Sequence, residues 1–340
     1  MRASPATDAD VRGWDELVNE TGRPHLLQSL AWAQVKAATN WDVRRFLLTD
    51  DQGARKGVAQ VLVRRLPLGI TIAYAPRGPL VDPALLPDAI VALRRALATE
   101  RCASLLCDPE VAPDDGLRAR LERSGVKRSP VYVQPRRTLL MDLTKDPEEL
   151  LGAMKKKTRQ YIHKAERGAV VTEETKDLDR FLAVLRLVGV RDRFALHSRQ
   201  YFETLTAALG DRAHILMARV GDEDAGAMLL ARMADRAWEL YGGWSGAHGE
   251  ARPFYLLKWR SMLRMRALGA VRYDMWGLSD RGDTGTSGGP ADALAGVENF
   301  KLGFGGEIAE WIGALETPVR PILYPLWQLA ARRRLARSAA

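Results

Sequence analysis

The sequence contains only two cysteines, Cys102 and Cys107, and no histidine or third cysteine stands near them to complete a metal site. Both lie in an apolar stretch, so we predict a buried, reduced pair. No run approaches the roughly 18 apolar residues of a membrane-spanning helix. The first ten residues form no apolar signal segment. We therefore expect a cytoplasmic protein that binds no metal.

The usual catalytic signatures are also missing. There is no G-x-S-x-G elbow, no P-loop, no H-E-x-x-H pair and no C-x-x-C motif. The five histidines are scattered, and we interpret each as a surface or hydrogen-bonded structural residue: His25, His163, His197, His214 and His248.

What the chain does have is length and positive charge. Its 340 residues predict two domains of about 150 residues each. Hydrophobic residues make up 46% and charged residues 27%, which is ordinary globular usage and excludes a disordered or fibrous chain. The net charge of +9 favours polyanionic partners such as nucleic acid, anionic lipid or phosphate-bearing substrates.

An internal repeat of about 165 residues organises the sequence. Each copy contains three strand-like segments, then a helix, then a short strand that ends in aspartate. The first copy has strands at 43–48, 57–63 and 70–74, a helix at 83–99 and a closing strand at 103–107, before Asp108. The second has strands at 214–220, 226–231 and 236–241, a helix at 253–268 and a closing strand at 270–274, ending in Asp274.

This element order is that of the acetyltransferase-like (GNAT) fold. We predict an α/β protein, of the α+β type, with two tandem GNAT-like domains. The first spans residues 1–145, with 317–340 packing back on it, and the second spans 146–316. The alternative is two generic α/β units whose similarity is coincidental.

Two further helices and a loop are predicted around the repeat. An N-cap at Asp146 and a stop at Gly168 predict one helix between them, with a basic surface. The tail is predicted to be helical after Pro325 and is rich in arginine. The glycine-rich stretch 280–290 is predicted to be a surface loop.

An ordinary GNAT enzyme carries an R/Q-x-x-G-x-G/A turn whose backbone amides bind the coenzyme A pyrophosphate. Neither repeat has that spacing after its third strand, at Tyr74 or at Tyr241. Use of coenzyme A is therefore disfavoured, although a divergent acyltransferase that uses acyl-CoA on a small amine or polysaccharide remains an alternative. A catalytically silent binding scaffold is another alternative.

Six segments in order resemble the Fem-type (FemABX) peptidoglycan aminoacyltransferases, which build the interpeptide bridges of bacterial cell walls. They are LQSLAWAQVK (27–36), YAPRGP (74–79), KTRQYIHKAE (157–166), YGG (241–243), YDMWG (273–277) and FKLGFGG (300–306). The family fold is two GNAT-like domains, in agreement with the repeat. No heptad stretch occurs, so the chain is similar to compact members without a coiled-coil arm.

The resemblance implies a reaction. An aminoacyl-tRNA gives its amino acid to the side-chain amine of the third stem-peptide residue of UDP-MurNAc-pentapeptide or lipid II. No cofactor is implied. The ester is already activated, so positioning the amine supplies much of the rate, and the tetrahedral oxyanion must be stabilised.

The resemblance also implies catalytic residues. Lys301 matches a lysine at the reacting end of the family site, where it stabilises the oxyanion or the end of the tRNA, and it precedes a glycine-rich turn that would let backbone approach a ligand. Phe300 would stack on the terminal adenine. Asp108 would orient or deprotonate the attacking ammonium. As alternatives, Lys301 is a surface lysine and Asp108 a strand-end cap.

Substrate-binding residues follow in the same way. Lys36 matches a lysine that contacts the precursor diphosphate, and Tyr241 a tyrosine near the stem peptide. In the second half, a basic residue four before a tyrosine gives His197 and Tyr201. Relatives often carry arginine there, and Arg199 would supply the charge that a neutral histidine lacks.

Partner surfaces complete these expectations. Exposed cations of the 146–168 helix would contact tRNA phosphates: Lys155, Lys156, Lys157 and Arg159. The tail from Trp327 to Arg337 would rest on anionic lipid at the inner face of the membrane. We expect a monomer.

Overall fold

The computed structural model describes residues 1–131, 133–192, 195–279, 297–325 and 327–328. The chain divides into two compact units. Unit 1 comprises Met1–Arg136 together with Glu310–Ala340, and unit 2 comprises Arg137–Ala309. Among the described residues, no helix combines the length and apolarity needed to cross a bilayer.

Unit 1 contains one mixed sheet with helices around it. Its strands are β1 (Arg2–Pro5), β2 (Asp42–Thr49), β3 (Arg55–Arg65), β4 (Thr71–Ala75), β5 (Leu80–Val81), β6 (Cys102–Cys107), β7 (Lys127–Arg128) and a last strand at Leu315–Pro318. Its helices are α1 (Asp8–Arg12), α2 (Trp14–Glu20), α3 (Leu30–Ala37), α4 (Leu86–Leu97) and α5 (Asp115–Arg123).

Unit 2 repeats this architecture. Its strands are β8 (Arg137–Asp142), β9 (Val170–Thr175), β10 (Ala213–Val220), β11 (Glu223–Met233), β12 (Arg236–Trp244), β13 (Arg272–Asp274) and β14 (Glu307–Glu310); the last strand of unit 1 is β15. Its helices are α6 (Pro147–Ala153), α7 (Lys156–Arg167), α8 (Leu178–Asp192), α9 (Arg199–Leu209) and α10 (Pro253–Ala267).

The two sheets have the same strand order. Unit 1 runs β1-β2-β3-β4-β6-β15-β7, with β5 beside β3, and unit 2 runs β9-β10-β11-β12-β13-β8-β14. In each, a three-strand antiparallel meander is followed by a parallel pair, β4 with β6 and β12 with β13. Asp108 follows β6 and Asp274 ends β13, so the predicted repeat and its paired aspartates are confirmed.

The predicted boundaries between the units need correction. Residues 137–142 were expected in the first domain, but they form β8, which pairs antiparallel with β13 of unit 2. The return to unit 1 begins at Glu310 rather than at residue 317 and includes β15, which lies between β6 and β7. Each sheet therefore receives its sixth strand from a segment that follows the other unit's strands along the chain.

Each unit has its own apolar core. In unit 1, α4 buries a helical stripe against the sheet, formed by Leu86, Ala89, Ile90, Leu93 and Leu97. In unit 2, α10 buries a broader surface that includes Leu256, Leu257, Trp259, Met262 and Met265. The helical spacing of these residues is what the sequence pattern indicated. Cys102 and Cys107 are buried and free, and burial raises the pKa of both thiols.

The predicted helix over 146–168 is two helices. Asp146 caps α6 as expected, since its side chain accepts from the Glu149 N–H at 2.8 Å. The helix then breaks at Met154, which is extended and buried, and the Lys155 N–H donates to the Gly303 carbonyl at 2.9 Å. Gly152 weakens the helix here, and the tertiary contact with Gly303 sets the break at Met154.

Strand exchange gives a prediction about fragments. A fragment of residues 1–136 lacks β15, which leaves β6 and β7 without the strand that joins them. We expect no cooperative thermal transition for this fragment by circular dichroism. The same fragment joined to residues 310–328 by a short Gly/Ser linker should show a cooperative thermal transition. A short linker suffices because the Trp311 N–H donates to the Arg136 carbonyl at 2.8 Å. Cooperative unfolding of 1–136 alone would contradict the exchange.

Candidate functional site

Asp108 lies buried at the end of β6, where it holds the turn that follows β4. Its two carboxylate oxygens accept from the Tyr74 hydroxyl at 2.6 Å and from the Arg77 N–H at 2.6 Å. Burial raises the pKa of Asp108 to about 6, although Arg77 and these hydrogen bonds favour the charged form. Asp108 is thus both a structural acceptor and a carboxyl group that is mostly ionised at pH 7.

In unit 1 the same turn is closed by a buried glutamine. Gln28 donates to the carbonyls of Pro76, at 2.7 Å, and Gln60, at 3.0 Å, and accepts from the Gln60 N–H at 2.7 Å. A side chain at Gly78 would come within 2.7 Å of this amide. Strands β4 and β6 stay paired to their ends, at Ala75 and Cys107.

Lys36 lines a cavity of about 270 Å³ in unit 1. Ser29 caps α3 by accepting from the Trp32 N–H, which places Lys36 in the last turn with its ammonium 4.5 Å from the Trp32 ring centroid. Burial lowers the pKa of Lys36. Aliphatic residues such as Leu62, Ile72 and Leu106 line part of the cavity, and its aromatic and polar lining residues are Trp41, Arg64, Tyr74, Ser104, Ser129, Gln134, Glu316 and Trp327. Cations beside aromatic rings suit an anionic group joined to a planar one.

Three of the predicted substrate residues meet in unit 2. The hydroxyls of Tyr201 and Tyr241 are 3.0 Å apart, and the His197 ring stacks on Tyr201 with centroids 4.0 Å apart. Burial raises the pKa of both tyrosines, so they remain neutral hydrogen-bonding groups. Arg199, which was expected to supply the missing charge, forms exposed ion pairs with Asp179 and Glu203.

Lys301 is buried and held by backbone carbonyls. Its ammonium donates to the carbonyls of Trp276 and Gly277, the latter at 2.8 Å. In the loop that presents these carbonyls, Trp276 has a left-handed backbone conformation. Asp274 fixes the loop by accepting a hydrogen bond from the Trp276 N–H at 2.7 Å. Burial, reinforced by the charge of Lys258, lowers the pKa of Lys301 to about 8. The alternative of a surface lysine is therefore wrong.

The glycine-rich turn after Lys301 serves packing. A side chain at Gly303 would lie 2.5 Å from the Thr158 hydroxyl on α7, and one at Gly306 would lie 2.7 Å from the Leu140 carbonyl on β8. Close approach was expected, but to a ligand. The structure shows the approach to be to the chain itself, and it fixes the position of Lys301.

A slot opens beside β12. The pairing of β12 with β13 ends at Trp238 and Asp274, while β12 continues to Trp244 with β11 on its other side. The unpaired side borders a pocket of about 420 Å³. Its other walls come from α8, the start of α10 and the turn before Lys301: Val188, Arg191, Asp192, Arg252, Pro253, Phe254, Tyr255, Val297 and Phe300.

Phe300 belongs to an aromatic wall of this slot. It stacks on Phe254 with centroids 5.5 Å apart and meets Tyr255 edge-on at 4.9 Å. Arginines stand beside aromatic rings of the same region, with Arg191 over Trp244 and Arg252 over Tyr161. Flat rings next to guanidinium groups are suited to a nucleobase and its phosphate.

The predicted tRNA cations lie at the start of α7. Lys155, Lys156 and Lys157 are exposed. Arg159 is half-buried, and its guanidinium donates to the carbonyls of Gly152 and Met154, so it caps the end of α6. The arginines of the tail, Arg332 to Arg337, and the loop 280–290 lie outside the described residues.

Two buried charges that act on Lys301 could not be recognised in the sequence. Glu239 on β12 and Lys258 on α10 form an ion pair, and both are nearly inaccessible to solvent. The available signal was a charged residue inside an apolar run, Glu239 after Trp238 and Lys258 before Trp259. The histidines do have structural partners, such as Glu110 for His25 and Glu174 for His214. Among the described residues, no cluster of three His, Cys, Asp or Glu side chains could hold a metal ion.

Comparison with solved structures defines the class of fold. A crystal structure of FemX matches with a TM-score of 0.82 and 22% identity, over 96% of this chain and 99% of that chain. A tandem GNAT protein from the clavulanic acid biosynthesis pathway matches with a TM-score of 0.54 and 17% identity, over 94% and 99%. The predicted tandem GNAT-like fold is confirmed.

Sequence comparison gives the family. The FemAB family model matches residues 11–116, 124–225 and 221–332, so the chain belongs to the FemAB family. A Staphylococcus aureus (strain MRSA252) relative, lipid II:glycine glycyltransferase, is 31% identical over 214 residues, covering 57% of this chain and 50% of that protein. The chain spans about half the length of the curated relatives it matches.

Burial of Asp108 predicts a pH-dependent stability. Between about pH 4 and 6 the folded protein keeps a proton on Asp108 that the unfolded chain has lost, so this group's contribution to stability falls as pH rises through that window. In the wild-type protein the free energy of unfolding should fall by about 3 kcal/mol across this window because of Asp108, and this fall should be absent in Asp108→Asn. Denaturant titrations from pH 3.5 to 7 measure it, and parallel profiles for both proteins would contradict it.

Proposed function

We propose that the chain transfers an amino acid from an aminoacyl-tRNA to the side-chain amine of the third stem-peptide residue of a peptidoglycan precursor, UDP-MurNAc-pentapeptide or lipid II. Family membership and the similarity to lipid II:glycine glycyltransferase support this assignment. The observation that carries it is the slot beside β12, whose aromatic wall includes Phe300, the residue that precedes the buried Lys301 in the sequence.

The donor end of the reaction belongs to this slot. The terminal adenosine of the tRNA stacks on the aromatic wall at Phe300, and Arg252 meets its phosphates, whereas Arg191 is paired with Asp192. Lys155, Lys156 and Lys157 at the start of α7, with the flank of Arg159, contact the tRNA backbone further from the ester.

The chemistry is an ester-to-amide exchange. The neutral amine attacks the ester carbonyl, a C–N bond forms, the C–O bond to the ribose breaks, and the ribose oxygen takes up one proton while the amine releases one. The Lys301 ammonium donates to the tetrahedral oxyanion and to the departing ribose oxygen. A pKa of about 8 lets it carry a proton at neutral pH and give it up readily.

The acceptor is bound through its anionic and peptide parts. Lys36, over Trp32 in its cavity, binds the diphosphate, while Tyr201 and Tyr241 hydrogen-bond the stem peptide beside His197. Arg199 stands in the helix that carries Tyr201, but its ion pairs with Asp179 and Glu203 leave it no assigned contact with the acceptor. Asp108 is mostly ionised at pH 7 and takes a proton from the ammonium of the acceptor, which gives the neutral amine that attacks.

These roles need neither metal nor coenzyme A. The protein acts as a monomer at the inner face of the membrane, where its basic tail contacts anionic lipid. An acyl-CoA-dependent enzyme of the same fold is distinguished by a thermal-shift comparison. Stabilisation by UDP-MurNAc-pentapeptide and none by coenzyme A supports the aminoacyltransferase, and the reverse result contradicts it.

Lys36→Ala tests the acceptor site. The substitution removes a charge-assisted contact to a diphosphate, worth about 1.5–3 kcal/mol, so affinity for UDP-MurNAc-pentapeptide should fall roughly 10- to 150-fold. Calorimetric titration measures this, with Lys56→Ala at the exposed start of β3, which does not line the cavity, as the matched control. Equal affinity of Lys36→Ala and the wild-type protein would remove Lys36 from the site.

Lys301→Met tests the chemistry. Methionine keeps most of the side-chain length but no cation, so single-turnover transfer at saturating charged tRNA should fall by about 100-fold or more, as when one oxyanion donor is lost. Precursor affinity should not change. A loss confined to the KM for tRNA, and fading at low salt, would instead assign Lys301 to tRNA binding. A wild-type single-turnover rate would show that it is not catalytic.

A further inference from the structure

A charged network is buried in unit 2 where three elements meet. Glu239 on β12 accepts from the Lys258 ammonium on α10 through one carboxylate oxygen. Its other oxygen accepts from the Tyr273 hydroxyl on β13 at 2.8 Å. Lys258 is 2% exposed and Tyr273 is fully buried. A carboxylate, an ammonium and a phenol thus share one site within the apolar core.

Stability gives no clear reason for this pair. Removing two charges from water is costly, and apolar residues of similar volume are often as stable or more stable. The fold already has a large apolar cluster around it, which includes Leu257, Trp259 and Met262 on α10 itself. The position of the pair is therefore better explained by what its charges face.

The Lys258 ammonium faces the aromatic wall of the slot. It lies 5.7 Å from the centroid of the Phe300 ring and 5.8 Å from that of Phe254. These two rings stack on each other at 5.5 Å. An ammonium against the faces of two aromatic rings attracts both, so it restrains the pair in this arrangement.

The same network also sets the charge around Lys301. The charged groups that act on Lys301 come from three elements: Lys258 on α10, Glu239 on β12 and Asp274 on β13. Lys258 disfavours a second positive charge at Lys301, whereas Glu239 and Asp274 favour it. The ion pair therefore lies against the Phe300 ring, and Phe300 is followed directly by Lys301 in the chain.

We propose that Lys258 and Glu239 are positioning residues: their buried ion pair holds the Phe300 ring against Phe254 and fixes the charge that faces the Lys301 ammonium. The proposal deepens the proposed function, since it takes Phe300 and Lys301 as the donor-side residues. Lys258 and Glu239 act through these two neighbours and are not assigned contacts with substrate.

The first test measures Lys301 itself without substrate. The full-length protein labelled with ¹³C at lysine Cε is titrated by NMR, and Lys301→Met identifies the Lys301 signal. Lys258→Met should raise the Lys301 titration midpoint above its wild-type value of about 8, and Glu239→Gln should lower it, each by about one pH unit. Lys258→Met/Glu239→Gln, which leaves no unpaired buried charge, should lie between the two.

A control separates positioning from general destabilisation. Arg180→Met removes a different pair of ionic contacts in unit 2, to Glu173 and Asp224. It should lower the melting temperature while leaving the Lys301 midpoint unchanged. The proposal would be overturned if the Lys301 midpoint did not move in opposite directions in Lys258→Met and Glu239→Gln. It would also be overturned if Arg180→Met moved the Lys301 midpoint as far as these variants do. If Lys258→Met fails to fold, Glu239→Gln and the double variant still decide it.

Transfer kinetics distinguish this proposal from the proposed function. The pH midpoint of single-turnover transfer should follow the NMR midpoint in each variant, and Lys258→Met should also raise the KM for charged tRNA by loosening Phe300. Opposite NMR shifts in a protein that transfers nothing would support the coupling and overturn the proposed function. If the pH midpoint of transfer stayed the same in variants whose Lys301 NMR midpoint shifts, the positioning role would be overturned.

Discussion

Strands β12 and β13 share hydrogen bonds only as far as Trp238 and Asp274, and the candidate donor site depends on that parting. Beyond it, β12 keeps its pairing with β11 and offers an open side to the slot. The loop that follows Asp274 turns its carbonyls toward the Lys301 ammonium. Without the parting there would be no room for a ligand beside Phe300, and without the loop no acceptors for a buried lysine.

Unit 1 shows the same fold without the opening. Its parallel pair, β4 and β6, stays together to Ala75 and Cys107, and Gln28 fills the turn beyond with three hydrogen bonds. A cavity of unit 1 lies against this closed pair, lined by Tyr74 of β4 and Ser104 of β6, and it also contains Lys36 and Trp32. Duplication of a fold has thus produced two units with different sites, one with a slot along the strand and one with a cation over an indole ring.

Much of this architecture could be predicted from sequence because it is local. The meanders, the helices α4 and α10 and the paired aspartates follow from apolar periodicity and turn residues. The boundary at residue 136 could not be predicted, since periodicity does not tell which sheet a short strand such as β8 joins. The break at Met154 depends on a contact with Gly303 that is distant in sequence.

The candidate site divides in the same way. Lys36, Phe300 and Lys301 were predicted from a family resemblance, and the structure adds their burial and partners. Glu239 and Lys258 were missed because a charge in an apolar run is normally placed at the surface, and only the packing of three elements shows that this one is paired inside. Arg199 was expected in the substrate site, but it forms exposed ion pairs with Asp179 and Glu203, which its spacing in the sequence could not predict.

The exchange of strands gives the chain an order of assembly during its synthesis. A ribosome releases β1 to β7 first, yet β15, which lies between β6 and β7, emerges only after every strand of unit 2. The usual sequence, in which the N-terminal domain folds first, is therefore reversed at the last step. Until residue 318 emerges, one edge of β6 is unpaired, and its backbone groups can form hydrogen bonds with a strand of another chain. Strand β7, which later pairs with the other edge of β15, is the exposed dipeptide Lys127–Arg128. Two positive charges on so short a strand disfavour pairing with another chain.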